Sequence, residues 1–337
     1  MEEVKIMNLK VSVIILAYNT EEYIAKAIDS ALRQTERNIE LIIVDDGSTD
    51  KTLDIIKSFD DKRIKVFVNQ ENKGQSFSTN LAIKESQGTW ITRLDSDDWY
   101  APNRLEKLLE LASEQNIDMI ADDVYFIQDG KTTPWSTLLG QSKFKIKDEV
   151  KIDPIFFVEK DVPGIWGLPL GLTKPLIKRN FLIQHNIQNQ DNIFIGGDFW
   201  FYLTCLAYGA NFLFVPKPYY FYRSRHGSSI TLSQVKRLEA YCKATLFYLE
   251  QEFIKNNPQL SDVLQKRLIL LERTRPYFKV IDSLKQAQFF NAILQMIKNP
   301  YFFYHLFTQM PRIIHRRLYF YLNKITANNS KYLNISN

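Results

Sequence analysis

The sequence predicts an α/β protein: a mostly parallel sheet flanked by helices, with a helical C-terminal extension. Three observations carry that expectation. Short apolar runs at 11–16, 40–44 and 64–68 have the length of buried strands. Between them, apolar residues recur at helical spacing, the alternation expected of βαβ units. From Leu232 onward the spacing is helical and strand signals cease.

Taken in order, Val11 to Leu16 reads as a first strand that exits through Ala17-Tyr18-Asn19-Thr20. A helix from about Glu21 follows, with Tyr23, Ile24, Ala27, Ile28, Ala31 and Leu32 on one face. Glu40 to Val44 is the second strand, ending in Asp45-Asp46-Gly47-Ser48-Thr49-Asp50. Leu53, Ile55, Ile56 and Phe59 mark another helix, and Ile64 to Val68 a third strand. Asn72-Lys73-Gly74 is a turn before a helix that starts near Ser76. A fourth strand from Trp90 ends in Leu94-Asp95-Ser96-Asp97-Asp98-Trp99-Tyr100, with Asp98 expected near a helix start. Helix 103–115 then leads to a strand at 118–127, where Asp122 and Asp123 are expected at an edge or in a loop. Five prolines, from Pro134 to Pro175, make 130–193 irregular, the kind of stretch in which substrate selection resides. Phe199 to Tyr208 is a hydrophobic helix, and Phe212 to Val215 a last strand.

Composition bounds the function. The chain has 337 residues, 45% hydrophobic and 24% charged, which suits an ordinary globular protein. Two cysteines without metal-ligand spacing argue against a disulfide scaffold or a zinc site and fit a reducing cytosol. Met1 to Lys10 lacks the apolar core of a secretory signal, and no run reaches the roughly 18 apolar residues of a spanning helix. The expected location is cytoplasmic. The net charge of +5 is uneven: from Val235 on there are 16 basic against 6 acidic residues, and none acidic after Asp282. Ile314, Leu318, Tyr321, Leu322 and Ile325 share one helical face opposite Arg316, Arg317 and Lys324, which suits a helix lying on the anionic cytoplasmic face of a membrane. Packing against the domain or a second subunit of a homo-oligomer is the alternative.

Ligands of open parallel sheets sit beyond the carboxyl ends of the strands. Those ends carry Tyr18, then Asp45 and Asp46, then Asp95, Asp97 and Asp98. A flat aromatic ring, hydrogen-bond acceptors and crowded carboxylates that call for a cation suit a nucleotide held by stacking, base or ribose contacts and phosphate-metal bridging. Separately, each has a plainer reading: a half-buried tyrosine, a turn residue before Gly47, a solvated acidic turn. No Gly-x-Gly-x-x-Gly follows the first strand and no Walker A sequence occurs, so dinucleotide oxidoreductase and P-loop readings are disfavoured, and no nucleic-acid partner is expected. Farther on, Trp166 between glycines could stack on a sugar, and Trp200 is a second acceptor-contact candidate. Asp198, after Gly196-Gly197, could cap its helix or act as a general base. His226 could be a third metal ligand, or Arg223 and Arg225 could hold phosphate.

Val-Ser-Val-Ile-Ile-Leu-Ala-Tyr-Asn, Ile-Val-Asp-Asp-Gly-Ser-Thr-Asp and Leu-Asp-Ser-Asp-Asp-Trp-Tyr-Ala-Pro-Asn-Arg-Leu together resemble glycosyltransferase family 2, the inverting nucleotide-sugar transferases of GT-A fold. The resemblance runs from about Val11 to Ser229. It implies that Tyr18 stacks on a base, usually uracil, that Asp46 contacts the base with Asp45 beside it, and that Asp95 and Asp97 form an Asp-x-Asp motif whose Asp97 binds Mn²⁺ or Mg²⁺. It makes Asp198 the base that deprotonates an acceptor hydroxyl. Two departures touch donor recognition. Ser78-Thr79-Asn80 stands where many members have Ala-Arg-Asn, keeping Asn80 as a nucleotide-sugar contact without the basic one, and Gly197 replaces an acid that commonly precedes the base.

The expectation is therefore a GT-A domain over 1–232, with a nucleotide-binding half to about 128 and an acceptor-binding half from about 129, and a helical region over 233–337. Its reaction would be inverting, metal-dependent sugar transfer from a UDP-sugar to a glycan or lipid-linked acceptor in surface polysaccharide synthesis. The rivals are a nucleotidyltransferase and a catalytically silent nucleotide-sugar-binding scaffold at the membrane.

Overall fold

The computed structural model describes residues 10–113, 116–163, 167–193, 195–224 and 233–308, with 310, 311, 313, 314, 317 and 318. The first half runs β1 (Val11–Ala17), α1 (Ile24–Leu32), β2 (Ile39–Asp45), α2 (Thr52–Lys57), β3 (Ile64–Val68), α3 (Gln75–Glu85), β4 (Trp90–Asp95), β5 (Trp99–Tyr100), α4 (Arg104–Ser113) and β6 (Met119–Gln128). The second adds β7 (Ser136–Thr137), β8 (Val150–Ile152), α5 (Pro154–Lys160), β9 (Leu176–Lys178), α6 (Arg179–Gln184), α7 (Gly197–Ala207) and β10 (Phe212–Ser224). Then come α8 (Gln234–Leu249), α9 (Glu252–Lys255), α10 (Pro258–Lys285) and α11 (Phe289–Lys298), with residues 301–308 also helical.

One sheet has the order β3-β2-β1-β4-β9-β6-β10-β5, with β7 against β6 and β8 against β10. The pairs β3-β2, β2-β1, β1-β4 and β6-β10 are parallel, while β9 lies antiparallel to both β4 and β6. β4 and β6 therefore point the same way, and the principal strands end along one edge. β1 and β2 are largely apolar and buried along their length because both faces of the sheet are covered, with Ser12 and Glu40 hydrogen-bonded to each other. α1 buries Ile24, Ala27, Ile28 and Ala31, the stripe its sequence presents.

Three expectations are corrected. The last strand is 13 residues long, not four, because β10 continues past two register shifts around Pro218 and pairs with β6 as far as Ser224. Asp122 and Asp123 lie within β6, 1% and 2% exposed, rather than at an edge or in a loop. Asp122 is matched by Arg104 at 2.7 Å, and Asp123 accepts from the amides of Val124 and Leu139. Asp98 does not begin a helix; it precedes β5, a two-residue strand antiparallel to β10.

The apolar core continues past position 232. Tyr248, Ile254, Leu260, Val263 and Leu264 join the cluster built on the sheet, and Leu238, Cys242 and Leu271 tie α8 to α10. Asn257 caps α10 through the Leu260 amide, with Pro258 in the first turn. Farther on, Tyr277, Val280, Ala292 and Phe302 form a separate small cluster. Among the described residues no helix is long and apolar enough to cross a membrane.

Candidate active site

The register of the parallel strands brings the predicted site residues to one edge. Ala17 pairs with Asp45 and Leu16 with Asp95, so the exits of β2 and β4 flank that of β1, where Tyr18 stands 45% exposed. The loops at the first two exits are laced together. Asn19, at φ +51°, accepts from the Thr49 amide at 2.8 Å and donates its own amide to Ser48 Oγ, while the Thr20 amide donates to Thr52 Oγ1. Gly47 is required there. Its φ is +77°, and a Cβ would lie 2.7 Å from the Glu71 carbonyl carbon.

Asp95 and Asp198 meet across two cations. On β4, side chains two apart share a face, so Arg93 and Asp95 lie together and Arg93 Nε donates to Asp95 Oδ1 at 3.0 Å. The same guanidinium reaches Asp198, with Nη1 2.7 Å from Oδ1 and Nη2 2.9 Å from Oδ2. Lys174 Nζ lies 2.6 Å from Asp198 Oδ2 and 3.1 Å from Asp95 Oδ2. Burial alone would raise the Asp95 carboxyl, but Arg93 and Lys174 outweigh it and hold it at about 2. Burial likewise opposes the charge on Lys174, and Asp198 and Asp95 overcome it, raising the ammonium above its usual range. Lys174 is held from behind: its carbonyl accepts from Thr92 Oγ1 at 3.1 Å and Arg104 Nη2 at 2.5 Å.

Asp198 sits in the first turn of α7 but does not cap it; the N-cap is Gly196, at φ +72°, and no side chain caps the helix. The capping alternative is thereby removed, and the carboxylate faces cations rather than aromatic rings alone. Gly196 is needed for its backbone and for room, since a Cβ would come 2.5 Å from Tyr241 of α8.

The counter-charge expected at the acidic exit is supplied in part by the protein. Asp98 is 1% exposed and accepts from Tyr220 Oη and from the Arg223 amide, each at 2.7 Å. Burial, then the charges of Asp95 and Asp97, push its carboxyl well above the usual range, which favours a proton on Asp98. The half-buried Asp97 lies between these two groups in sequence, and its carbonyl accepts from Arg223 Nε at 2.9 Å. Among the described residues no group of three or more His, Cys, Asp or Glu side chains could hold a metal ion.

Several candidates are placed differently from expectation. Asp46 is 5% exposed, and its carboxylate accepts from Asn69 Nδ2, Ser78 Oγ and the Lys73 and Gly74 amides, so it shapes the turn before α3. Asp45 is 1% exposed, with Oδ2 accepting from the Ser48 amide at 3.3 Å. The Asn80 amide is spent on the backbone of Asn189, donating at 2.9 Å and accepting at 2.8 Å, which makes it a tether. Trp200 is corrected to a core residue: it is 1% exposed and stacks on Tyr248 at 4.2 Å. Arg223 is committed to Asp97, Asp129 and the ring faces of Tyr23 and Trp99 rather than to phosphate. Trp166, Arg225 and His226 lie outside the described residues.

Sequence reasoning missed Arg93 and Lys174. A cation in the apolar run Trp90 to Leu94 was a signal for Arg93; Lys174 lies in an irregular loop whose position depends on β4 and α4.

Comparison with known proteins agrees with this geometry. The model of the family "Glycosyl transferase family 2" matches residues 12–165. The succinoglycan biosynthesis protein ExoO of Rhizobium meliloti is 25% identical over 297 residues, 88% of this chain and 83% of that protein. The Escherichia coli UDP-Glc:alpha-D-GlcNAc-diphosphoundecaprenol beta-1,3-glucosyltransferase WfaP is 38% identical over 119 residues, 35% of this chain and 47% of that protein. Among solved structures, S. aureus TarS 1-349 in complex with UDP-GlcNAc superposes with a TM-score of 0.58 at 20% identity, covering 84% of this chain and 89% of that one. The mannosyltransferase PcManGT from Pyrobaculum calidifontis, in complex with GDP-Man and Mn²⁺, gives 0.56 at 14% identity, over 94% and 88%. The structural likenesses speak for the fold, and the family match and named relatives for the chemistry. Residues 12–165 thus match the glycosyl transferase family 2 model, the fold is that of GT-A enzymes, and the chain is a glycosyltransferase.

Proposed function

We propose that this glycosyltransferase moves a sugar, with inversion, from a UDP-sugar to a glycan or lipid-linked acceptor in surface polysaccharide synthesis, working as a peripheral protein on the cytoplasmic face of a membrane. The observation that carries the reading is the joining of Asp95 and Asp198 through Arg93 and Lys174, beside exposed Tyr18. Tyr18 offers the ring face for the base. Asp198 has the place and chemistry of a base for the acceptor hydroxyl. It is fixed by a bidentate guanidinium, so its orientation is set before substrate arrives. Freeing an oxygen for a proton requires one cation to yield, and the anionic donor offers Lys174 and Arg93 another partner. One displacement by a deprotonated hydroxyl gives inversion without an enzyme nucleophile.

GT-A glycosyltransferases commonly use a divalent metal, and the donor set here fits an ion that arrives with the diphosphate. Mg²⁺ is usually bound by one or two carboxylates plus substrate phosphates, so a cage of three side chains is not required. Asp97, the second acid of the Asp-x-Asp motif, is the residue that would hold it. The metal would neutralise charge gathering on the leaving diphosphate. The UDP-GlcNAc and diphosphoundecaprenol in the names of TarS and WfaP support a UDP-sugar donor and a lipid-linked acceptor.

The membrane role rests on α11 and the helical residues after it. Phe289, Phe290, Ile293 and Ile297 are 56–79% exposed, and Phe303, Tyr304 and Phe307 are 50–75% exposed, in a region without acidic residues. An apolar face with basic neighbours suits an anionic lipid surface. The deciding experiment incubates the protein with UDP-sugars, Mn²⁺ and membrane lipid acceptors and identifies the released product. UDP supports the proposal, pyrophosphate would make the protein a nucleotidyltransferase, and tight donor binding with neither product would make it a scaffold.

A further inference from the structure

A cavity of about 470 Å³ is lined by residues of β6, α5, α7, β10, α8 and α10. Trp135, Tyr222 and Tyr241 are among its aromatic walls, and its charged groups are Asp161, Arg237, Arg267 and Lys160, the last paired with Glu159 at 3.0 Å. It adjoins the site already described. Phe199, next to Asp198, lines it, and Tyr241 packs on Gly196 two residues before Asp198.

Its arginines lack the partners that burial demands. Arg267 is 2% exposed, yet among the described residues it donates only to Thr245 Oγ1 at 3.2 Å and the Asp161 carbonyl at 3.4 Å. Its Nε is buried without a hydrogen-bond partner, and so is Nε of Arg237. The Arg267 guanidinium lies 4.3 Å from the Phe199 ring centroid, an attraction that orients it without neutralising it. The one carboxylate in the cavity is a poor counter-ion. Asp161 accepts from the Gly171 amide at 2.6 Å, and burial pushes its carboxyl up to about 6. Asp161 offsets part of the Arg267 charge through space but makes no ion pair with it, so the incompletely hydrogen-bonded guanidinium is costly to bury, and an anionic ligand would relieve that cost.

We propose that this cavity is the acceptor pocket and that it selects an acceptor bearing an anionic group, a phosphate or a sugar carboxylate, through Arg267 and Arg237, with the sugar face against its aromatic walls. The acceptor role rests on the glycosyltransferase reading; the anion preference does not. Both arginines come from the helices after 232, so those helices complete the pocket rather than merely follow the domain.

The test uses the full chain with UDP and Mn²⁺ saturating, so that the donor crevice is closed to the probes. Saturation-transfer NMR then compares glucose 1-phosphate, methyl glucuronide and methyl glucoside. The expected result is at least tenfold tighter binding of one or both anionic probes than of the neutral one. A stronger phosphate probe identifies a glycosyl phosphate acceptor, and a stronger glucuronide an acidic sugar. Arg237→Gln, at a half-buried position, should cut the preference to under threefold while the melting temperature and UDP affinity hold. Arg267→Gln should do the same where it folds. Equal binding of the three probes, or a preference that survives Arg237→Gln and any folded Arg267→Gln, overturns the proposal. Failure of UDP to bind would instead count against the donor site, and the loss or survival of the anion preference in Arg237→Gln would still decide the pocket.

Discussion

Lys174 donates to Asp198 over 2.6 Å while lying 3.1 Å from Asp95, so one buried ammonium joins the carboxylate at the end of β4 to that at the start of α7. The two halves of the site are thus coupled by charge. Asp198→Asn keeps the shape but removes the proton acceptor, and kcat should fall by roughly 10²- to 10⁴-fold, the range of general-base contributions. UDP affinity, measured by calorimetry, should stay within about threefold. Normal turnover in the variant would remove Asp198 from the base role.

Asp97→Ala tests the metal assignment. In that assignment the Asp97 carboxylate, the second acid of the Asp-x-Asp motif, meets an ion carried on the diphosphate. UDP affinity in Mn²⁺ should drop at least tenfold while affinity in EDTA is unchanged. Equal loss with and without the ion would show a packing effect instead.

How far the site was legible depends on the range of the interactions. Apolar runs follow from local pattern and strand exits in a parallel sheet share an edge, so the exits at Tyr18, Asp46 and Asp95 converge as expected. Whether a polar group at an exit is free for a ligand depends on distant donors. Asp46 is saturated from Asn69, Lys73, Gly74 and Ser78, and Asn80 is tied to Asn189. Lys174 was hidden because an irregular loop has no period, and Trp200 was misjudged because Tyr248, its stacking partner, lies 48 residues away on α8.

Arg104→Met should be severely destabilising. Arg104 and Asp122 are 0% and 1% exposed, with both Nε and Nη2 of Arg104 donating to Asp122 Oδ1. Losing one partner leaves a buried charge, a cost of about 3–5 kcal/mol. Pairing the change with Asp122→Leu should recover part of that loss. Because Arg104 also holds the Lys174 carbonyl, the double variant should regain stability in urea without regaining full kcat. Full recovery of both would show that Lys174 does not need this support.

Asp123→Asn should make stability less dependent on pH. Burial pushes the Asp123 carboxyl up to about 6 from 3.8, so between about pH 4 and 6 the folded state holds a proton that the unfolded state has lost. Stability contributed by that proton is present at the acid end and disappears as pH rises through about 6. Asparagine removes the penalty, and its oxygen can still accept from Val124 and Leu139. Urea melts should show a gain of about 1–3 kcal/mol at pH 7.5 and almost none at pH 4. A gain of equal size at both would mean that the carboxyl is not the cause.

Phe290→Glu with Ile297→Glu should detach the protein from lipid. These side chains are 79% and 72% exposed on α11, whereas Ala292 of the same helix is buried against the cluster of Tyr277, Val280 and Phe302, so the outward face can change without disturbing the inward one. Two glutamates remove apolar contact and set negative charge against anionic headgroups, where each basic residue contributes about 1 kcal/mol of attraction. Sedimentation with vesicles containing phosphatidylserine should show at least tenfold weaker binding, and added salt should weaken the unaltered protein too. Activity toward a water-soluble acceptor should persist. If the variant stays on vesicles but changes its mass by light scattering, the face joins two copies of the chain, and the membrane reading of α11 falls.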